Sequence, residues 1–147
     1  MLAINDLIKL FHERKLWGGG YKIARKIIRI LYACDIPLGS DKIGKDLFLA
    51  HNGLGIVISS EVKIGDNCKI YQNVTLGAGK DGYPEIGNNV TIYSNSVVIG
   101  KIKIGDNAVI GACSFVNKDV KANTVVAGNP AKVIRRLEND FSKHHKV

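Results

Sequence analysis

Residues 56–77 read IVISSEVKIGDNCKIYQNVTLG, and residues 86–116 read IGNNVTIYSNSVVIGKIKIGDNAVIGACSFV. Ile58, Ile64, Ile70 and Leu76 fall six residues apart, and after a break the series resumes with Ile86, Ile92, Val98, Ile104, Ile110 and Val116. The fourth place after nine of the ten, all but Leu76, is small or β-branched: Val62, Cys68, Val74, then Val90, Ser96, Ile102, Ala108, Ser114 and Val120. Gly often follows the aliphatic, as in Ile64-Gly65, Ile86-Gly87, Ile104-Gly105 and Ile110-Gly111. A helix repeats every ~3.6 residues and a strand every ~2, so neither makes one place apolar every six residues over such a length. A triangular β-solenoid does, with three short strands to a coil of about 18 residues and coils stacked at about 4.8 Å. The aliphatics then point inward, the small residues sit near the corners, and Asn67, Asn89 and Asn107 suit corners in the left-handed backbone region.

Outward from this core, residues 78–85 (AGKDGYPE) interrupt the period and read as a loop leaving one corner. Excursions of this kind are either functional or neutral surface insertions. Residues 21–34 (YKIARKIIRILYAC) place Ile23, Ile27, Ile30 and Leu31 on one stripe, with Lys22, Arg25, Lys26 and Arg29 opposite, which predicts an amphipathic helix. Gly18, Gly19 and Gly20 separate it from a first helix around Asp6 to Leu16. A basic amphipathic helix can lie on a membrane surface, but the expectation here is that its apolar stripe packs on the first coil. After Pro130, AKVIRRLENDFSKHHKV reads as a short helix and a charged tail. The chain therefore divides into a helical segment, 1–34, a solenoid domain, 35–130, and a tail, 131–147.

At 147 residues, one domain with a single core is expected. The net charge of +8 favours anionic partners. Nucleic acid is not expected, since no run of five like charges occurs and aromatics are 7%. Cys34, Cys68 and Cys113 lack metal-ligand spacing, and the first residues lack the apolar run of a signal peptide, which fits a cytoplasmic protein with reduced thiols.

The stretch from His51 to Arg136, with HNGLGIVI, IYQNVTLGAGK, IGDNAVIGACSFV and GNPAKVIRR, resembles the serine acetyltransferases and the related bacterial sugar and polysaccharide O-acetyltransferases. The resemblance implies an all-β fold, a left-handed parallel β-helix that breaks the right-handed crossover rule. It also implies acetyl-CoA as co-substrate, no metal, and a homotrimer with active sites between subunits. The segment CDIPLGSDKIGKDLFLAHNGLGIVI looks most similar to the polysaccharide-type members. Serine acetyltransferases carry an Asp before the histidine, where this chain has Ala50, and an Arg-His pair where it has Gly82-Tyr83. Loss of these groups argues for a sugar hydroxyl as acceptor, with serine as the alternative and a silent trimeric scaffold as a third reading.

Acetyl transfer from a thioester to a hydroxyl needs a base, donors for the developing oxyanion and a grip on the carrier. Of the four histidines, His12, His144 and His145 lie in the prefix or tail, and His51 alone lies in the coils. A lone His is by default structural; the resemblance makes His51 the general base. Its second nitrogen needs an acceptor, and Asp35 matches the family's acidic partner with one inserted residue. A backbone carbonyl could serve instead, leaving Asp35 a helix-terminating surface acid. Gly77, Ala78, Ser94, Ala112 and Gly111 match places where the family leaves backbone amides open to the pantetheine arm, though solenoid packing also explains them. Lys80, Lys132, Arg135 and Arg136 are the candidate phosphate-binding cations, with solvated surface charge as the alternative. Tyr83 and Asn52 are the candidate acceptor contacts, Tyr83 by stacking on a sugar ring.

Overall fold

The computed structural model describes residues 3–7, 9, 20–37 and 40–137, and among 20–24 the backbone alone. The expected first helix is described only at 4–7 and 9, and the rest of it, like His12, His144 and His145, lies outside the described residues. All ten in-phase aliphatics from Ile58 to Val116 are buried, as are all nine fourth-place residues. The aliphatics lie one to a strand in ten of the thirteen short strands among the described residues, whose pairing, in all but one case, is parallel, and the fourth-place residues lie between strands.

The strands form three faces. One stacks β2 (Val57–Ile58), β5 (Thr75–Gly77), β8 (Val97–Ile99) and β11 (Phe115–Val116), with Asp35 bridged to Val57 above them. The second stacks β3 (Lys63–Ile64), β6 (Glu85–Ile86) and β9 (Lys103–Ile104), flanked by bridges from Ile43 and Val120. The third runs in the order β1 (Phe48–Leu49), β4 (Lys69–Ile70), β7 (Thr91–Ile92), β10 (Val109–Ile110), β12 (Thr124–Ala127) and β13 (Lys132–Arg136). The faces follow one another along the chain in that order, so each turn of chain visits all three and drops one ladder step.

Corner chemistry explains the repeat. Between the second and third faces, Asp46, Asn67, Asn89, Asn107 and Asn123 all have φ between 54 and 59°. Just before them, side-chain oxygens reach up one coil: Asp66 accepts from Lys45 N at 2.7 Å, Asn88 from Asp66 N at 2.9 Å, and Asp106 from Asn88 N at 2.7 Å. The glycine that opens this corner is required by close approach, because a Cβ on Gly65 would sit 2.7 Å from the Gly87 carbonyl carbon. Inside, Ser96 and Ser114 donate their hydroxyls to Gly111 O at 2.9 and 2.6 Å, so these buried polar groups are satisfied.

The interruption at 78–85 is a turn closed by Gly79 N donating to Gly82 O at 2.8 Å, with a cleft beside it. Two expectations are corrected. The segment after Pro130 is no helix: residues 132–136 form β13, antiparallel to β12. β12 would otherwise leave its backbone groups unpaired, and β-branched Val133 and Ile134 favour the extended form; residues 138–147 lie outside the described set. The basic helix exists as α1 (Gly20–Tyr32), but among its described side chains, 25–32, Ile28 and Tyr32 are the buried ones, while Ile27, Ile30 and Leu31 are exposed. The docked face is rotated by roughly one residue, about 100°, from the expected stripe.

Candidate active site

His51 occupies the corner between β1 and β2, where Ala50–Gly53 make a tight turn in place of the short corner used below it. Its backbone is left-handed (φ 50°, ψ 41°), as is that of Asn52 (φ 54°, ψ 32°), and Gly53 follows at φ 72°. A histidine in this region is uncommon and costs energy, so the surroundings must impose it. They do so from both sides. Asn5 clamps the preceding strand, accepting from Leu49 N at 2.8 Å and donating to Leu49 O at 3.1 Å. Beyond the turn, Leu54 O accepts from Asn73 N at 2.9 Å and Gly55 N donates to Ala33 O at 2.9 Å. Both His51 and Asn52 are thus exposed on a rigid elbow, over a packed Gly53.

Asp35 does not meet His51. Its carboxylate takes Arg25 Nε at 2.6 Å and Arg29 at 3.6 Å, which ties α1 to the first coil, and the His51 imidazole is not among its hydrogen-bond partners. The one-residue insertion weakens the correspondence, and two arginines compete for the acid. Here Asp35 anchors the helix, and no hydrogen bond joins it to His51.

The edge below His51 carries Tyr71-Gln72-Asn73, then Tyr93-Ser94-Asn95, then Gly111-Ala112-Cys113. The backbone ladder there runs from Tyr93 N to Ile110 O, Asn95 N to Gln72 O, Gly111 N to Val126 O and Cys113 N to Ser94 O. It passes over the N–H groups of Ser94 and Ala112, which suits the expected role of these two positions. Gly111 is different. Its N–H and its carbonyl are both engaged, the latter by two serine hydroxyls, so its small size serves packing against Ala127. Lys132 opens β13 opposite Ala127, at the foot of this edge, whereas Arg136 pairs with Thr124 at the far end of the strand and lines a different cleft with Lys121 and Asn123. From β1 to β13 there are five ladder steps, about 24 Å at ~4.8 Å each.

Gly77 ends β5, and Ala78, Lys80 and Tyr83 lie on the edge that follows it, beyond the β2–β5–β8–β11 face. There Lys80 and Lys101 line a cleft of about 430 Å³ with Gly79, Gly100, Phe115 and Asn117. The sequence-based set therefore falls on two edges of one protomer that a whole sheet face separates. Sequence reading also passed over Tyr71 and Tyr93, whose rings are 4.9 Å apart on the His51 edge, and Lys101 beside Lys80. The signal for the tyrosines was present: both take the Gly place after an in-phase isoleucine. Gln72 Oε1, on the same edge, is buried without a hydrogen-bond partner. Among the described residues no three His, Cys, Asp or Glu side chains gather to hold a metal.

Residues 83–118 match the family described as bacterial transferase hexapeptide (six repeats). The chain is 41% identical over 148 residues to serine acetyltransferase from Staphylococcus aureus (strain Mu50 / ATCC 700699), covering 93% of this chain and 66% of that protein. It superposes on the crystal structure of Neisseria gonorrhoeae serine acetyltransferase with a TM-score of 0.77 at 30% identity, over 97% of this chain and 58% of that one. Against serine acetyltransferase from Brucella abortus strain S19 in complex with coenzyme A, the TM-score is 0.75 at 29% identity, over 94% and 58% of the two chains. This chain thus spans about three fifths to two thirds of the relatives it matches. The shared solenoid is the left-handed parallel β-helix, and the chain belongs to the hexapeptide-repeat acetyltransferase family, in its serine acetyltransferase-like group.

Proposed function

We propose that this chain is an acetyl-CoA-dependent O-acetyltransferase whose acceptor is a sugar hydroxyl in surface polysaccharide assembly on the cytoplasmic side. The observation that carries the reading is the His51 elbow. A histidine held in the left-handed region by clamps on both flanks, yet exposed, is strain kept for a purpose. In the proposed reaction the neutral imidazole accepts the hydroxyl proton while the hydroxyl oxygen attacks the thioester carbonyl. The C–O bond forms, the C–S bond breaks, and the departing thiolate takes up a proton. The unpaired N–H groups of Ser94 and Ala112 hold the carrier's amide arm along the edge, and Lys132, about 24 Å from β1, meets its phosphates. Such an edge suits an extended carrier of the kind bound in the Brucella abortus structure.

The working unit is a homotrimer in this reading. His51, Asn52, Ser94 and Ala112 occupy one edge and Ala78, Lys80 and Tyr83 another, so only the edge of a second copy can complete the first. Tyr93, 40% exposed two ladder steps below the His51 turn, offers a ring face to a sugar on the His51 edge itself. Serine is the second reading, favoured by the name of the relatives at 41% identity. The absence of the family's acidic and Arg-His groups at Ala50 and Gly82-Tyr83 weighs for the sugar. Release of free thiol from acetyl-CoA, followed with L-serine and with a panel of hydroxyl sugars, separates the two. Turnover on a sugar with little on serine is expected; efficient turnover of serine at millimolar concentration removes the sugar assignment and leaves the chemistry standing.

A further inference from the structure

From α1 we infer a second binding surface: a membrane-docking face for anionic lipid bilayers, independent of the acetyl-transfer site. The helix was expected to bury its apolar stripe on the first coil. Instead it docks through Ile28 and Tyr32 and leaves Ile27, Ile30 and Leu31 at 50, 81 and 55% exposure. Scattered exposed aliphatics are ordinary, but three on one helical stripe form a patch. Three of the ten exposed large hydrophobics among the described residues belong to α1, and Phe48, Leu54 and Val57 follow it in the first coils.

The charges around the stripe choose its partner. Lys26, exposed, borders the stripe on one side, and Arg29, also exposed, lies farther round the helix and is only loosely paired with Asp35 at 3.6 Å. The helix sequence GYKIARKIIRILY contains no acidic residue. Two copies meeting face to face through this stripe would bring cation against cation, which disfavours a two-fold self-interface. An anionic bilayer supplies what the face lacks: headgroups for Lys26 and Arg29 and an acyl boundary for Ile27, Ile30 and Leu31. A helix in which a basic flank accompanies an aliphatic stripe is the form that lies in the headgroup plane. No helix among the described residues is long and apolar enough to cross a membrane, so the contact is peripheral. Docking through α1 would hold the catalytic edges at the bilayer surface.

Co-sedimentation of the full chain tests this, using vesicles of phosphatidylglycerol in phosphatidylcholine against vesicles of phosphatidylcholine alone. Binding to the anionic vesicles that fades with added salt is expected, with ~30-fold weaker partition for Lys26→Ala with Arg29→Ala, the worth of two cations near an anionic surface. Ile30→Asp with Leu31→Asp should abolish binding while circular dichroism and thiol-release activity in detergent-free buffer stay as in the parent. Lys103→Ala with Lys118→Ala, away from α1, should leave binding unchanged. Failure to sediment with anionic vesicles, equal binding to both vesicle types, or an equal loss from the Lys103/Lys118 pair overturns the proposal. So does a fall in oligomer mass in the Ile30/Leu31 variant without any vesicle binding by the parent, which would assign the face to a second copy. None of these outcomes touches the acetyltransferase reading, which stands or falls on turnover.

Discussion

His51 illustrates how much a single residue can owe to its neighbours. An imidazole on a regular corner would be a surface histidine; here the Asn5 clamp, the Ala33 and Asn73 contacts and the buried Gly53 hold it on a left-handed turn. If it removes the acceptor's proton, His51→Ala reduces turnover by roughly 10²- to 10⁴-fold. Acetyl-CoA affinity changes little, because the carrier rests on backbone and on distant cations. Near-normal turnover in a folded variant would remove the general-base role. The cysteines make a second case. Burial pushes the Cys34 and Cys68 thiols up to about 11 from an ordinary 9.0. An unfolded thiol ionises earlier than these do, so their contribution to stability is complete below pH ~9 and is lost as pH rises toward ~11. The denaturant midpoint of the parent should therefore fall across that window more steeply than that of Cys68→Ala; parallel curves would show that Cys68 is not the group responsible.

At the level of elements, β13 and α1 show where local signals mislead. The run AKVIRR has residues that any helix accepts, and its fate is decided by the open edge of β12, which a strand can pair and a helix cannot. That choice redistributes the cations. Lys132 comes to the foot of the His51 edge, while Arg136 is carried to the opposite end of the strand. Lys132→Ala should weaken acetyl-CoA binding ~10-fold, about one charge-assisted hydrogen bond, and weaken dephospho-CoA less. Arg135→Ala and Arg136→Ala, opposite Val125 and Thr124 at the other end of β13, should do little to either. Equal losses for the two ligands in the Lys132 variant would take Lys132 away from the 3′-phosphate. For α1 the periodicity correctly gave a helix, yet the buried side was set by Asp35, which draws Arg25 inward and with it the neighbouring Ile28 and Tyr32.

The whole molecule is a stack of coils, and one copy presents its candidate site in two halves on separate edges. Sedimentation should give a trimer at micromolar concentration, and a stable monomer that still turns over would contradict a site shared between subunits. The solenoid was legible in the chain because its period is local. Each aliphatic, each small residue and each corner asparagine meets its own counterpart one coil away, so the same six-residue rule is written ten times and every instance is buried. The place of His51 in the coils was legible in the chain, and the spacing of Ser94 and Ala112 on one edge follows from the same period. What the period cannot carry is anything that depends on contacts outside it: which side of α1 turns inward, whether the closing segment coils or pairs, which acid is free to meet the histidine, and which edge each cation reaches. Those were settled by pairings between residues far apart in the chain, Arg25 with Asp35, Asn5 with Leu49 and β13 with β12, because a charge, an unpaired strand edge or an exposed backbone group takes the partner that the fold brings near.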